Sequence, residues 1–116
     1  MNENKINLNP RTLYDVLKGS SALKRSPAGG RSKISKITEI CPHEISKIEI
    51  ISPFNRAILD VEGELKENIS VDALAIEKAC LALIKSKKIS LSFRNEELNL
   101  SGLSKINIPL KKWIIL

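Results

Sequence analysis

Aromatic residues are nearly missing from this chain, at 3% of the total. Tyr14, Phe54, Phe93 and Trp113 are all there are, so the core must be built from Ile and Leu. The basic stretch of the chain also lacks interleaved rings, which excludes base stacking by that stretch. Histidine occurs once, as His43, and cysteine twice, as Cys41 and Cys80. Two cysteines make no disulfide framework. Cys41, His43 and Cys80 lack the paired C-x-x-C spacing of a structural zinc site. A Cys41–His43 nucleophile pair would need a third, orienting group that the surrounding sequence does not offer. No glycine-rich phosphate loop occurs, because Ala28-Gly29-Gly30 is not followed by the lysine and hydroxyl such a loop requires. No apolar run approaches the ~18 residues of a membrane span. The first residues have no cationic stretch leading into an apolar one, as a secretory signal would. These absences lead to an expectation of a non-enzymatic protein in a reducing, cytoplasmic setting, with no metal, no cofactor and no membrane.

Hydrophobic residues make up 42% and charged residues 28%, ordinary proportions for a folded chain. At 116 residues a single domain with a modest core is expected. The net charge of +6 is unevenly placed. Lys5, Arg11, Lys18, Lys24, Arg25, Arg31, Lys33 and Lys36 face only Glu3 and Asp15 before residue 39, and the remaining charges cancel. Residues 1–36 therefore read as a basic, largely flexible arm, and residues 37–116 as a compact domain. Within the arm, Asn9 and Pro10 open a short helix over 10–18 that Gly19 can end. Its apolar face is Leu13, Val16 and Leu17. The Ser, Gly, Pro, Lys and Arg of 20–35 have little means of packing.

The domain is organised around a helix expected over Ser70–Lys88, with Ser70 as cap and Asp72 in the first turn. Ile76, Ala79, Cys80 and Leu83 form its buried stripe, which makes Cys80 a buried thiol. Leu74 and Leu81 form a second stripe on another side. Before the helix, Ile48 and Ile50 alternate in one strand, and Leu59, Val61 and Leu65 in the next, with Ser52–Asn55 turning between them. The carboxylates Asp60, Glu62 and Glu64 read as the solvated face of that second strand. After the helix, Ile89, Leu91 and Phe93 pair with Leu98 and Leu100 across a turn at Asn95–Glu97. Ile106, Ile108 and Leu110 supply a last strand, which Pro109 places at an edge. Ile34, Ile37 and Ile40 fit either a helix ending before Pro42 or an irregular docking segment. No internal repeat is visible. The fold class expected is α+β: a small two-layer domain, β-β-α-β-β, with one central helix on a mainly antiparallel sheet.

Two functions compete. Lys24, Arg25, Arg31, Lys33 and Lys36 could neutralise phosphates from a flexible arm, giving nucleic-acid contact of low sequence specificity, and this is the leading expectation. The alternative is a protein–protein adaptor, or a homodimer, with Leu74, Leu81 and Trp113 as its interface. One resemblance bears on that alternative. The stretch Pro42-His43-Glu44-Ile45-Ser46-Lys47-Ile48-Glu49-Ile50, followed by a strand, the helix and Ile89–Phe93, resembles the substrate-specificity switch domain of type III export length-control proteins. That resemblance implies a proline-led first strand, then β-α-β, and an export-gate protein as partner.

Overall fold

The computed structural model describes residues 4–19 and 37–110. Nine strands and two helices occur among them. They are β1 (Lys5–Leu8), α1 (Pro10–Leu17), β2 (Ile37–Pro42), β3 (Lys47–Ile51), β4 (Arg56–Asp60), β5 (Glu62–Glu64), β6 (Ile69–Asp72), α2 (Ala73–Ala82), β7 (Ile89–Arg94), β8 (Glu97–Ser101) and β9 (Lys105–Pro109). All pairings are antiparallel. One sheet runs β5-β1-β7-β8-β9 and the other β4-β3-β2-β6. The chain is thus α+β with antiparallel sheets and two helices. The expected single sheet beneath one helix is corrected to two sheets and two helices.

The reason lies in where β1 and β6 go. Each is a four-residue strand that runs straight into a helix cap. β1 pairs with β7, and β6 pairs with β2, so each reaches far along the sequence for its partner. The result is a β-α-β-β-β unit present twice, with the leading strands exchanged. Counting from the caps Asn9 and Asp72, Ile6 answers to Ile69, Leu8 to Val71, Leu13 to Ile76, Val16 to Ala79 and Leu17 to Cys80. Every one of these residues is buried. The registers extend the match: Ile40 and Leu91, Ile48 and Leu98, Ile50 and Leu100, and Leu59 and Ile108 hold equivalent places. Even the turns agree. The Val61 amide donates to the Ser46 carbonyl, and the Leu110 amide to the Glu96 carbonyl. Ser46 and Glu96 both adopt left-handed backbone, with φ of 63° and 62°.

Several local expectations change accordingly. The central helix starts at Ala73, not Ser70, because the Asp72 carboxylate accepts the Ala75 amide at 2.9 Å while Ser70 stays in β6. The run from Ala57 to Leu65 is not one strand in one sheet. It bends at buried Val61, so that β4 edges one sheet and β5 the other. Gly63 makes this bend feasible: its φ is +99°, and a Cβ there would collide with the Lys5 carbonyl oxygen. Ile37 and Ile40 lie in β2, a strand rather than a helix, and Ile34 lies outside the described residues. Pro42 closes β2 and does not lead into the domain's first strand, contrary to the order implied by the export-switch resemblance.

The helix over 10–18 is α1, capped by Asn9, whose side chain accepts the Arg11 amide at 2.8 Å, with Gly19 beyond its end at φ +104°. It is not part of a detached arm. Leu13 and Leu17 are fully buried in the common core, and α1 packs on α2. The rest of the arm, residues 20–36, lies outside the described residues.

Candidate functional site

Of the residues expected to touch nucleic acid, Lys24, Arg25, Arg31, Lys33 and Lys36 all lie outside the described residues, as does Trp113. Leu74 and Leu81 are described. Both sit on the outward side of α2, with Leu74 half-buried and Leu81 50% exposed. Helical spacing sets Lys78 beside them, and Lys85 follows in the turn beyond the helix, both exposed. The apolar face of α1 does not cover this stripe, because Leu13, Val16 and Leu17 turn into the core. Contact between the helices lies on the far side of α2, where the Cys80 thiol donates to the Pro10 carbonyl at 3.1 Å.

The duplicated unit supplies an internal control for this stripe. Counted from the caps, Leu74, Lys78 and Leu81 on α2 answer to Arg11 and Asp15 on α1 and to Lys18, the residue that ends it. All three residues of the first half are exposed and charged. The same architecture therefore carries Arg11 and Lys18 in one half where the other carries Leu74 and Leu81, and a charged residue at the middle place in both. Packing of the fold does not require leucine there.

Beside the stripe is a shallow groove of about 320 Å³ lined by Ala75, Lys78, Ala79, Ile106, Asn107, Ile108 and Pro109. Ala75 and Ala79 leave room on the helix, while Ile106 and Ile108 give an apolar strand side. Two further concavities occur among the described residues. One, about 460 Å³, lies over the hydroxyl- and amide-rich outer face of the five-stranded sheet, with Ser92, Asn99 and Asn107 in one cross-strand row. The other, about 480 Å³, lies at the β2–β3 turn and is bordered by Val61, Leu65 and Ile45, the last 94% exposed.

Groups suited to chemistry are scattered and quiet. Burial pushes the Cys80 thiol up to about 12, so it remains a protonated donor to Pro10. Burial, then Glu39 and Glu49, also raise the Cys41 thiol on the outer side of β2. On the outer face of the four-stranded sheet the charges pair off, Lys47 with Asp60 at 2.6 Å and Arg56 with Glu49. Lys47 and Arg56 are both raised by the hydrogen bond to their carboxylate partners. No group of three or more His, Cys, Asp or Glu suited to a metal ion occurs among the described residues. No helix among them is long and apolar enough to cross a membrane.

Sequence reasoning found the α2 stripe but missed the groove and the exposed Ile45. The groove depends on β9 lying alongside α2, a contact between distant parts of the chain. Ile45 breaks no periodicity and so gives no signal.

No protein-family model and no curated protein matches the chain. Solved structures do. The β subunit of DNA polymerase III from Borrelia burgdorferi, solved with a natural product, matches with a TM-score of 0.75 at 16% identity, over 96% of this chain and 32% of that one. The Caulobacter crescentus β sliding clamp matches with a TM-score of 0.71 at 15% identity, over 99% and 32%. The Helicobacter pylori β clamp bound to a DNA ligase peptide matches with a TM-score of 0.67 at 14% identity, over 97% and 33%. The chain spans about a third of the length of these neighbours. The likeness is one of fold, and it overturns the leading expectation. Low-specificity nucleic-acid contact by a basic arm gives way to the protein-interaction alternative, because the neighbours are clamp subunits and one of them holds a partner's peptide. What the chain shares with them is the fold of a single β sliding-clamp domain.

Proposed function

We propose that this chain is a protein-interaction domain of sliding-clamp type, working by binding rather than by catalysis in a cytoplasmic setting. Its interface is the α2 face carrying Leu74 and Leu81. The observation that carries this reading is the asymmetry between the two halves. Leucines stand where the first half has exposed Arg11, on α1, and Lys18, at its end, places where the core does not need them. Apolar side chains kept half in water, with no structural demand for them, mark a surface that meets something else. The Helicobacter pylori clamp, solved with a DNA ligase peptide, is a precedent for peptide binding on this fold. The raised, protonated thiols of Cys41 and Cys80 agree with a role that needs no nucleophile. The partner is a second protein, or a second copy of the chain.

The test uses the internal control. Leu81→Lys installs the residue α1 already carries, so stability should change by less than about 0.5 kcal/mol in chemical denaturation. A photo-crosslinking side chain at position 81 should give protein adducts, while the same group at position 18 should not. A large loss of stability in Leu81→Lys, or equal adducts from both positions, would return the stripe to the fold and end the interface reading.

A further inference from the structure

The groove beside the stripe narrows the class of partner, given the reading of α2 as an interface. Four consecutive residues of β9, Ile106 to Pro109, line it. Side chains of a strand alternate between faces, so a cavity touched by four in a row follows the edge of the strand rather than one face. β9 is the last strand of its sheet. The Leu110 amide donates to the Glu96 carbonyl and the Gly102 amide to the Ser104 carbonyl. The alternation of an antiparallel ladder then gives the Ile106 and Ile108 amides to β8 and turns those of Lys105 and Asn107 outward. Pro109 has no amide to offer, so the open edge stops there.

Charge on this surface has one sign. α2 exposes Lys78, and Lys85 follows close behind the helix. The only acidic residue of α2 is Glu77, which is buried, and β9 has none. Among the described residues, neither lysine has a carboxylate partner. A second copy offering the same face would set lysine against lysine, which opposes association.

We infer that the groove between α2 and β9 receives an extended, acidic segment of a different protein. Its apolar side chains rest on Ala75, Ala79, Ile106 and Ile108, its carboxylates face Lys78 and Lys85, and its backbone pairs with Asn107 as an added strand.

A fluorescent Leu-Asp-Leu-Asp-Leu peptide, titrated into the full chain by anisotropy, tests this against Leu-Lys-Leu-Lys-Leu and an all-glutamate peptide of equal length. The acidic apolar peptide should bind, and the other two should bind at least about fivefold more weakly. Lys78→Glu with Lys85→Glu should lower its affinity by a similar factor and reverse the preference toward the lysine peptide. Asn107→Pro, which removes only an outward amide, should weaken binding while thermal unfolding stays near that of the wild type. Equal binding of the all-glutamate peptide would reduce the site to bare charge and overturn the proposal. So would indifference to both lysine changes, or sedimentation showing that the face pairs with a second copy. Adducts at position 81 without preference for the acidic peptide would leave the interface standing and refute only this partner.

Discussion

The two β-α-β-β-β units use one plan with different chemistry. In the first, the helix is capped by Asn9 and turns Arg11, Asp15 and Lys18 to water. In the second, it is capped by Asp72 and turns out Leu74, Lys78 and Leu81. Their inward residues scarcely differ in burial, Leu13 and Ile76 both being fully enclosed. Their C-terminal ends are fastened by turns in opposite senses. The Asn55 side chain of the β3–β4 turn donates to the Val16 carbonyl at 3.0 Å, whereas Ser86, beyond α2, accepts the Leu103 amide of the β8–β9 turn at 2.9 Å. What the halves share is what the fold demands. Where they differ, the fold left a choice.

Truncating matched core residues tests this most severely. Leu13→Ala and Ile76→Ala should each cost about 2–5 kcal/mol by urea denaturation, in one transition with the same slope. Two transitions, or a Leu13→Ala near neutral, would show that the first half is an appendage rather than an equal. Gly63→Ala probes the strand shared by both sheets. With φ of +99° and the Lys5 carbonyl in the way, it should cost about 2 kcal/mol. Exchange of the β1 amides should quicken first, as seen by hydrogen exchange. The smallest effect concerns Thr38, which occupies in β2 the place Ile89 occupies in β7. Its hydroxyl is buried with no hydrogen-bond partner among the described residues. Thr38→Val should raise stability by about 1 kcal/mol, making the halves more alike. A loss instead would mean that the hydroxyl is satisfied by bound water.

The sequence disclosed whatever is stated locally. Asn9-Pro10 and Gly19 bracket α1, the β7–β8 hairpin alternates around Asn95–Glu96, and Pro109 marks an edge. The buried stripe of Ile76, Ala79, Cys80 and Leu83 is as the spacing implies. What was not legible depends on partners far away. β1 and β6 are four residues each, too short for alternation to stand out, and Ile69 and Val71 merge with the helical pattern that follows. The break at Val61 is invisible because alternation continues unchanged while the chain passes between sheets. The repeat escaped notice because the halves agree in burial, not in residue identity: Leu17 answers to Cys80, and Thr38 to Ile89. At the candidate site the leucine stripe was legible, but its meaning came only from the other half, where charged residues stand in its place.

The exchange of leading strands governs the order of events during synthesis. β1 emerges early but completes its pairing only when β7 is made, since Ile6 lies opposite Leu91 and Leu8 opposite Ile89. Until then the first half has its helix and hairpin strands, but β1 has only the three residues of β5 on one side and an open edge on the other. Pairings so distant along the chain make folding slow. Neither half can finish alone, so a ribosome paused between them would hold an exposed strand edge. Such an intermediate invites pairing with other nascent chains.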